Sequence, residues 1–324
     1  MSETPASGTI RHRTVRTNGI DMRIAEAGEG PLVVLCHGFP ELSYSWRHQL
    51  AALADAGYHA VAPDQRGYGE TTRPEAVEEY DIVHLTDDVL GLLDVLGQER
   101  AVLVGHDWGA PVVWHLALRA PERVRGVVGM SVPYIPRSQR PPTEIWRNVF
   151  TDTWFYILYF QEPGVADADL GRDPATTMRR FLCAISGDAS MEDMTSMSGA
   201  RDGRGMVDRL PEPDGLPDWL TQADLDHYSS TFARTGYTGG LNWYRNFDRN
   251  WELTADYAGA RVEVPALFIA GARDPVLLMV PPDGMKDWVA DLRGLVLLPE
   301  AGHWVQQERP TEVNASLLDF LSDL

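Results

Sequence analysis

Five residues constrain this chain more than any others. Gly105-His106-Asp107-Trp108-Gly109 lies between an apolar run, AVLV (101–104), and a stretch of helical spacing, PVVWHLALRAP (111–121). Glycines two residues either side of a central side chain permit a tight strand-to-helix turn. They remove the Cβ atoms that would clash there, so the central residue can sit at the tip in a strained conformation. The segment therefore demands a buried strand feeding directly into a helix, with Asp107 presented between them.

The rest of the first third has the same rhythm. PLVVLCHGF (31–39), HAVAPDQRG (59–67) and RVRGVVGMSVP (123–133) are apolar runs of the kind that form strands buried on both faces. Between them, SWRHQLAALADAG (45–57) and IVHLTDDVLGLLDVLG (82–97) have helical spacing and end in glycine. Strands alternating with helices imply βαβ units and a mostly parallel sheet flanked by helices. The pattern returns with VPALFIAGARDP (264–275) and LRGLVLLPEAGHW (292–304), and the chain closes on an amphipathic helix, TEVNASLLDFLSDL.

Residues 134–251 break the pattern and hold 17 of the chain's 30 Phe, Trp and Tyr residues. TDTWFYILYFQEPG (151–164) and DLDHYSSTFARTG (224–236) read as helical, and 186–218, rich in Ser, Gly, Asp and Pro, reads as a long loop whose composition suits a gating lid as well as an unstructured insertion. The expected organisation is an α/β core in two parts, 1–133 and 252–324, with a helical cap inserted at 134–251.

An aspartate at the elbow selects the chemistry. A carboxylate is a weak nucleophile towards esters but can displace a leaving group at a saturated carbon, giving an alkyl ester of the protein that water must then cleave. Activating that water needs a base, and His303, in Ala301-Gly-His-Trp304 after an apolar strand, is the candidate. Asp274, after the strand ALFIAGA, supplies the orienting acid, in the chain order nucleophile, acid, histidine. The alternative acid position, after the next strand, holds Gly129-Met-Ser-Val-Pro-Tyr134 and no carboxylate. Cleaving the ester also needs oxyanion donors. The backbone N–H groups of Trp108 and of Phe39, in His37-Gly-Phe-Pro40, are placed for this, and the proline suggests a cis peptide that aims the Phe39 N–H. His106 should point away from the tip, and Glu41 is a candidate for positioning water.

The motifs His37-Gly-Phe-Pro-Glu41, Asp64-Gln-Arg-Gly-Tyr-Gly69, Gly105-His-Asp-Trp-Gly-Ala110 and Gly302-His-Trp304 resemble soluble epoxide hydrolases of the α/β-hydrolase superfamily, and the resemblance runs from about residue 10 to the C-terminus. It implies an α/β-hydrolase fold with a cap and conversion of an epoxide to a vicinal diol. It also implies that Tyr156 and Tyr244, in matching cap motifs, donate hydrogen bonds to the epoxide oxygen. A phenol suits that role, being a neutral donor at pH 7. Phe39, Trp108 and Trp154 are expected to line the pocket, and the chemistry calls for no cofactor or metal. The alternative is a haloalkane dehalogenase, which also uses an elbow aspartate and a following tryptophan. Such enzymes usually carry a halide-binding Asn at the position of Phe39, or else a second Trp in the cap, so Phe39 and the cap tyrosines argue against it. A receptor on this fold usually loses a catalytic member, and none is missing here.

Charge and composition narrow the partners. With 28 Lys and Arg against 47 Asp and Glu, the net charge of −19 disfavours nucleic acid and anionic membrane surfaces. The two cysteines, Cys36 and Cys183, are too few for a disulfide framework and read as buried thiols of a reducing compartment. The first 20 residues contain no apolar signal segment, and no apolar run approaches the roughly 20 residues that span a bilayer. The expectation is a cytoplasmic protein with a small-molecule epoxide substrate, acting as a monomer or homodimer.

Overall fold

The computed structural model describes residues 9–190, 193 and 196–324. Its centre is an eight-stranded sheet. Six strands precede the aromatic-rich segment: β1 (Arg11–Thr17), β2 (Ile20–Ala27), β3 (Leu32–Cys36), β4 (His59–Pro63), β5 (Ala101–His106) and β6 (Val124–Met130). Two short strands, β7 (Thr153–Phe155) and β8 (Ser198–Ala200), pair with each other separately, and β9 (Ala266–Gly271) and β10 (Leu292–Leu298) complete the sheet. The order is β1-β2-β4-β3-β5-β6-β9-β10, antiparallel at β1–β2 and β2–β4 and parallel from β4 onward.

The continuous apolar runs occupy the middle of this sheet because both of its faces are covered. Along β3, Val34 and Cys36 enter the cluster that includes Leu85, Leu92 and Leu116, from the helices Ile82–Val95 and Gly109–Arg119. The alternate residues Val33 and Leu35 face Leu50 and Leu317, from the helices Arg47–Asp55 and Pro310–Ser322. Period-two alternation thus serves two hydrophobic layers at once.

Three features differ from the sequence expectations. The β1–β2 hairpin precedes the first strand read from the sequence. Its signal is Asn18-Gly19, both at positive φ, the conformation of a two-residue hairpin turn. Residues 153–155 form β7 rather than helix, followed by a single helical turn, Tyr156–Tyr159, because their backbone groups find partners in β8. The 186–218 region is accordingly not a structureless loop where it is described. It contributes β8 and the turn Met206–Arg209, and Arg209 stacks 4.3 Å over the Trp154 ring while donating to the Ala200 carbonyl at 2.7 Å.

The strands β3, β5, β9 and β10 are parallel, so their C-terminal ends lie on one edge. The segments beginning at His37, Asp107, Ala272 and Pro299 leave the sheet there, where α/β sheets place their ligands. The chain between β6 and β9 contains the helices Pro142–Val149, Val165–Gly171, Pro174–Ala184, Gln222–Thr235, Thr238–Arg245 and Phe247–Leu253. Among the described residues no helix is long and apolar enough to cross a membrane.

Candidate active site

The elbow forms as its glycines require. A Cβ on Gly105 would be driven into the Gly109 carbonyl, and one on Gly109 would meet the Cys36 and His37 carbonyls. Helix and strand can therefore approach only without side chains at these two positions. Between them Asp107 adopts φ +49°, sparsely populated for a non-glycine residue, while its N–H is tied to the Met130 carbonyl at 3.2 Å.

The Asp107 carboxylate has two distinct ends. Oδ1 accepts a 2.7 Å hydrogen bond from the Phe39 N–H, beside a Phe39–Pro40 peptide that is cis. Oδ2 lies 3.5 Å from His303 Nε2. The other ring nitrogen, Nδ1, faces Asp274 at 3.0 and 3.1 Å from its two oxygens, and Asp274 is fixed in turn by the Val276 N–H at 2.9 Å. The structure thus brings Asp107, His303 and Asp274 together in that order. Burial opposes charge on the His303 ring, but Asp274 and Asp107 outweigh it and raise the imidazole well above its usual range.

Tyr156 and Tyr244 line the same cavity as Phe39, Asp107 and His303, about 270 Å³ in volume, with their ring centroids 6.1 Å apart. Burial, reinforced by the Asp107 charge, pushes both phenols upward, so each is a neutral hydrogen-bond donor across the physiological range. The Tyr244 ring packs edge-on against the Trp108 indole, with centroids 5.2 Å apart. Most of the remaining wall is apolar, from Phe155, Phe181, Ile185, Met197 and Met279.

Two pocket expectations are corrected. Trp154 does not line this cavity. Along β7 successive side chains take opposite faces, so Phe155 turns inward while Trp154 packs on Tyr159 and Arg209. The Trp108 indole lies against Trp243, Tyr244 and Phe247 and faces an adjoining cavity with Trp146, rather than the one holding Asp107.

Glu41 is also placed differently. Its Oε2 accepts from the Gly38 N–H at 3.0 Å and lies 2.6 Å from His106 Nδ1, while Oε1 accepts from Gln306 and Gln307. Burial alone would raise this carboxyl; the hydrogen-bonded His106 ring and the Gly38 N–H outweigh it and hold it at about 2. Glu41 thus braces the Phe39 loop. His106 points away from the tip as expected, joining Glu41 to the His303 carbonyl at 2.7 Å. His37 accepts the Gln65 N–H on Nε2 and faces the Gly38 carbonyl with Nδ1, an arrangement of a neutral structural ring; burial lowers its titration.

Residues the sequence did not single out complete the frame. Ser131, at φ +65°, donates to the His303 carbonyl at 2.9 Å. Glu308 accepts from the backbone of Gly187, Gly302 and Trp304, and burial, against the pull of those N–H groups, pushes it up to about 7. Ser131 acts on backbone brought in from elsewhere in the fold, whereas Glu308 joins the nearby Gly302 and Trp304 to the distant Gly187.

Comparison with known proteins identifies the family. The family described as alpha/beta hydrolase fold matches residues 31–310. Epoxide hydrolase A of Mycobacterium tuberculosis is 57% identical over 321 residues, covering 98% of this chain and 99% of that protein. Epoxide hydrolase 3 of Siraitia grosvenorii is 43% identical, covering 97% and 98%. The crystal structure of epoxide hydrolase A from Mycobacterium thermoresistibile superposes with a TM-score of 0.93 at 58% identity, covering 97% of this chain and 98% of that one. The chain belongs to the epoxide hydrolases of the α/β-hydrolase fold family.

Proposed function

We propose that this protein hydrolyses small-molecule epoxides to vicinal diols through an ester on Asp107. The observation that carries this reading is the Asp107–His303–Asp274 array facing a tyrosine pair across one apolar cavity. Asp107 Oδ2 attacks a ring carbon: a C–O bond to the protein forms and a ring C–O bond breaks. Tyr156 and Tyr244 donate hydrogen bonds to the oxygen as alkoxide charge develops. The charged His303 ring supplies the proton that this alkoxide takes up, which leaves His303 neutral. Esterification also removes the Asp107 charge that favoured the imidazolium, so His303 becomes the base for the second step. It deprotonates a water that attacks the Asp107 carboxyl carbon. Oδ1, already on the Phe39 N–H, becomes the oxyanion, with the Trp108 N–H as second donor. Collapse breaks the Cγ–Oδ2 bond, and the departing alkoxide takes the proton of the new carboxyl hydroxyl. The diol leaves, with Asp107 again a carboxylate and His303 again protonated; the second proton of the diol comes from the water.

In this reading residues 134–251 form the cap, supplying Tyr156 and Tyr244, and the core comprises 1–133 and 252–324. The two thiols, free in the structure, fit a cytoplasmic setting. A dehalogenase is disfavoured because the described lining of the cavity contains neither Asn nor Trp.

The test is single-turnover mass spectrometry with styrene oxide on His303→Gln. Without its base the variant should retain a stoichiometric adduct, one epoxide in mass, on the peptide containing Asp107. No adduct, together with no diol from the unaltered enzyme across a panel of epoxides, refutes the reading.

A further inference from the structure

The His303 loop is tied to the chain segment that follows the helix Pro174–Ala184. The His303 N–H donates to the Ile185 carbonyl at 2.9 Å, and the Trp304 indole N–H donates to the Leu182 carbonyl at 2.8 Å. Ser186 is held from the other side by the Trp219 indole at 2.9 Å. Phe181, in the last turn of that helix, and Ile185, just after it, line the cavity. At the centre of the junction is one carboxylate. Glu308 Oε2 accepts the N–H groups of Gly187 and Gly302, both at 2.8 Å, and Oε1 accepts the Trp304 N–H at 3.0 Å. The two residues flanking His303 and a residue of the facing segment thus share a single anchor.

We propose, resting on the ester mechanism above, that Glu308 is a positioning residue for the His303 base, clamping its loop to the Ile185–Gly187 segment and serving cleavage of the ester rather than its formation. The selectivity follows from what the carboxylate touches. The bond-making step of ester formation relies on Asp107, the Phe39 N–H and the two tyrosines, none of which is bonded to Glu308, and the His303 proton is taken up only by the alkoxide that step has already released. Ester cleavage requires His303 to hold a water in line with the Asp107 carboxyl carbon, and displacement of a base by about 1 Å lowers such a rate on the order of 10²-fold. Three backbone N–H groups need carboxylate acceptors on both oxygens. An amide of the same shape offers one oxygen and turns an NH₂ towards at least one N–H.

The experiment compares unaltered enzyme with Glu308→Gln in rapid-quench mass spectrometry using styrene oxide, at a pH above the Glu308 value of about 7 so that the carboxylate is ionised, reading ester formation and ester decay separately. Formation should stay within about 3-fold while decay slows by about 10-fold or more, so that ester accumulates during turnover. Ester amplitude per chain counts folded protein, so partial misfolding lowers the amplitude without mimicking slower decay. If Glu308→Gln does not fold, Glu308→Asp, which keeps the charge but withdraws it by one methylene, must give the same split. Equal slowing of both steps, or unchanged decay, overturns the proposal. Absence of ester and diol with the unaltered enzyme overturns the epoxide reading, and this proposal with it.

Discussion

Replacing Gly38 by alanine tests the nucleophile's alignment without touching a reacting group. A Cβ at this position would lie 2.6 Å from Asp107 Cγ and closer still to its Oδ1 and Cβ. Carbon–oxygen and carbon–carbon contacts need more than 3 Å, so the carboxylate or the Phe39 loop must shift by roughly 1 Å, and a shift of that size at a reacting centre lowers rates about 10²-fold. It also breaks the 2.7 Å bond from the Phe39 N–H to Oδ1, a hydrogen bond to a charged group of about 1.5–3 kcal/mol. Both losses arise from one displacement and do not multiply in full, so ester formation should slow by about 10²- to 10³-fold. Rotation of the Asp107 side chain cannot relieve the contact with its Cβ, so backbone at the elbow or the Phe39 loop must also move, and the melting temperature should fall alongside the rate. The assay is rapid-quench detection of the ester with styrene oxide, with thermal unfolding run alongside. Ester formation within 3-fold of the unaltered enzyme would show that the Phe39 loop does not define the carboxylate's working position, and the reasoning would fail.

Two further outcomes follow from the same geometry. Tyr156→Phe and Tyr244→Phe should each slow ester formation by about 10²- to 10³-fold, the usual loss for one donor to a developing oxyanion, with much smaller effects on decay of ester already formed; stopped-flow fluorescence of the buried tryptophans reads both steps. Because His303 is raised in the folded protein, its stabilising contribution is fully present below the ordinary imidazole value of about 6.5 and is lost as pH rises through the folded value. The melting temperature of the unaltered enzyme should therefore fall on the alkaline side relative to His303→Gln; parallel curves in scanning fluorimetry would refute this.

Much of the site is readable from local pattern. Buried strands such as β3 and β5 announce themselves as continuous apolar runs, and the elbow glycines at 105 and 109 are needed whatever the rest of the fold does. The β1–β2 hairpin is equally local, signalled by Asn18-Gly19. Asp107, His303 and Asp274 follow strand ends, and in a parallel sheet the ends fall on one edge, so chain order and spatial neighbourhood coincide. The physics of nucleophilic displacement and base catalysis constrains residue type strongly enough to nominate candidates for both roles before any coordinates exist.

What the tertiary structure decided is direction and pairing between distant segments. Thr153–Phe155 extends because Ser198–Ala200 lies beside it, and that choice sends Phe155 into the cavity and Trp154 out of it. Glu41, beside the oxyanion loop in sequence, is occupied by His106 and two glutamines, whereas Glu308, unmarked in sequence, holds the backbone on both sides of His303. Residue type and periodicity determine which face a side chain can take and what chemistry it can carry. Which partner satisfies a buried carboxylate or a free strand edge depends on hydrogen bonds made across the fold, and those are set only when the whole chain closes.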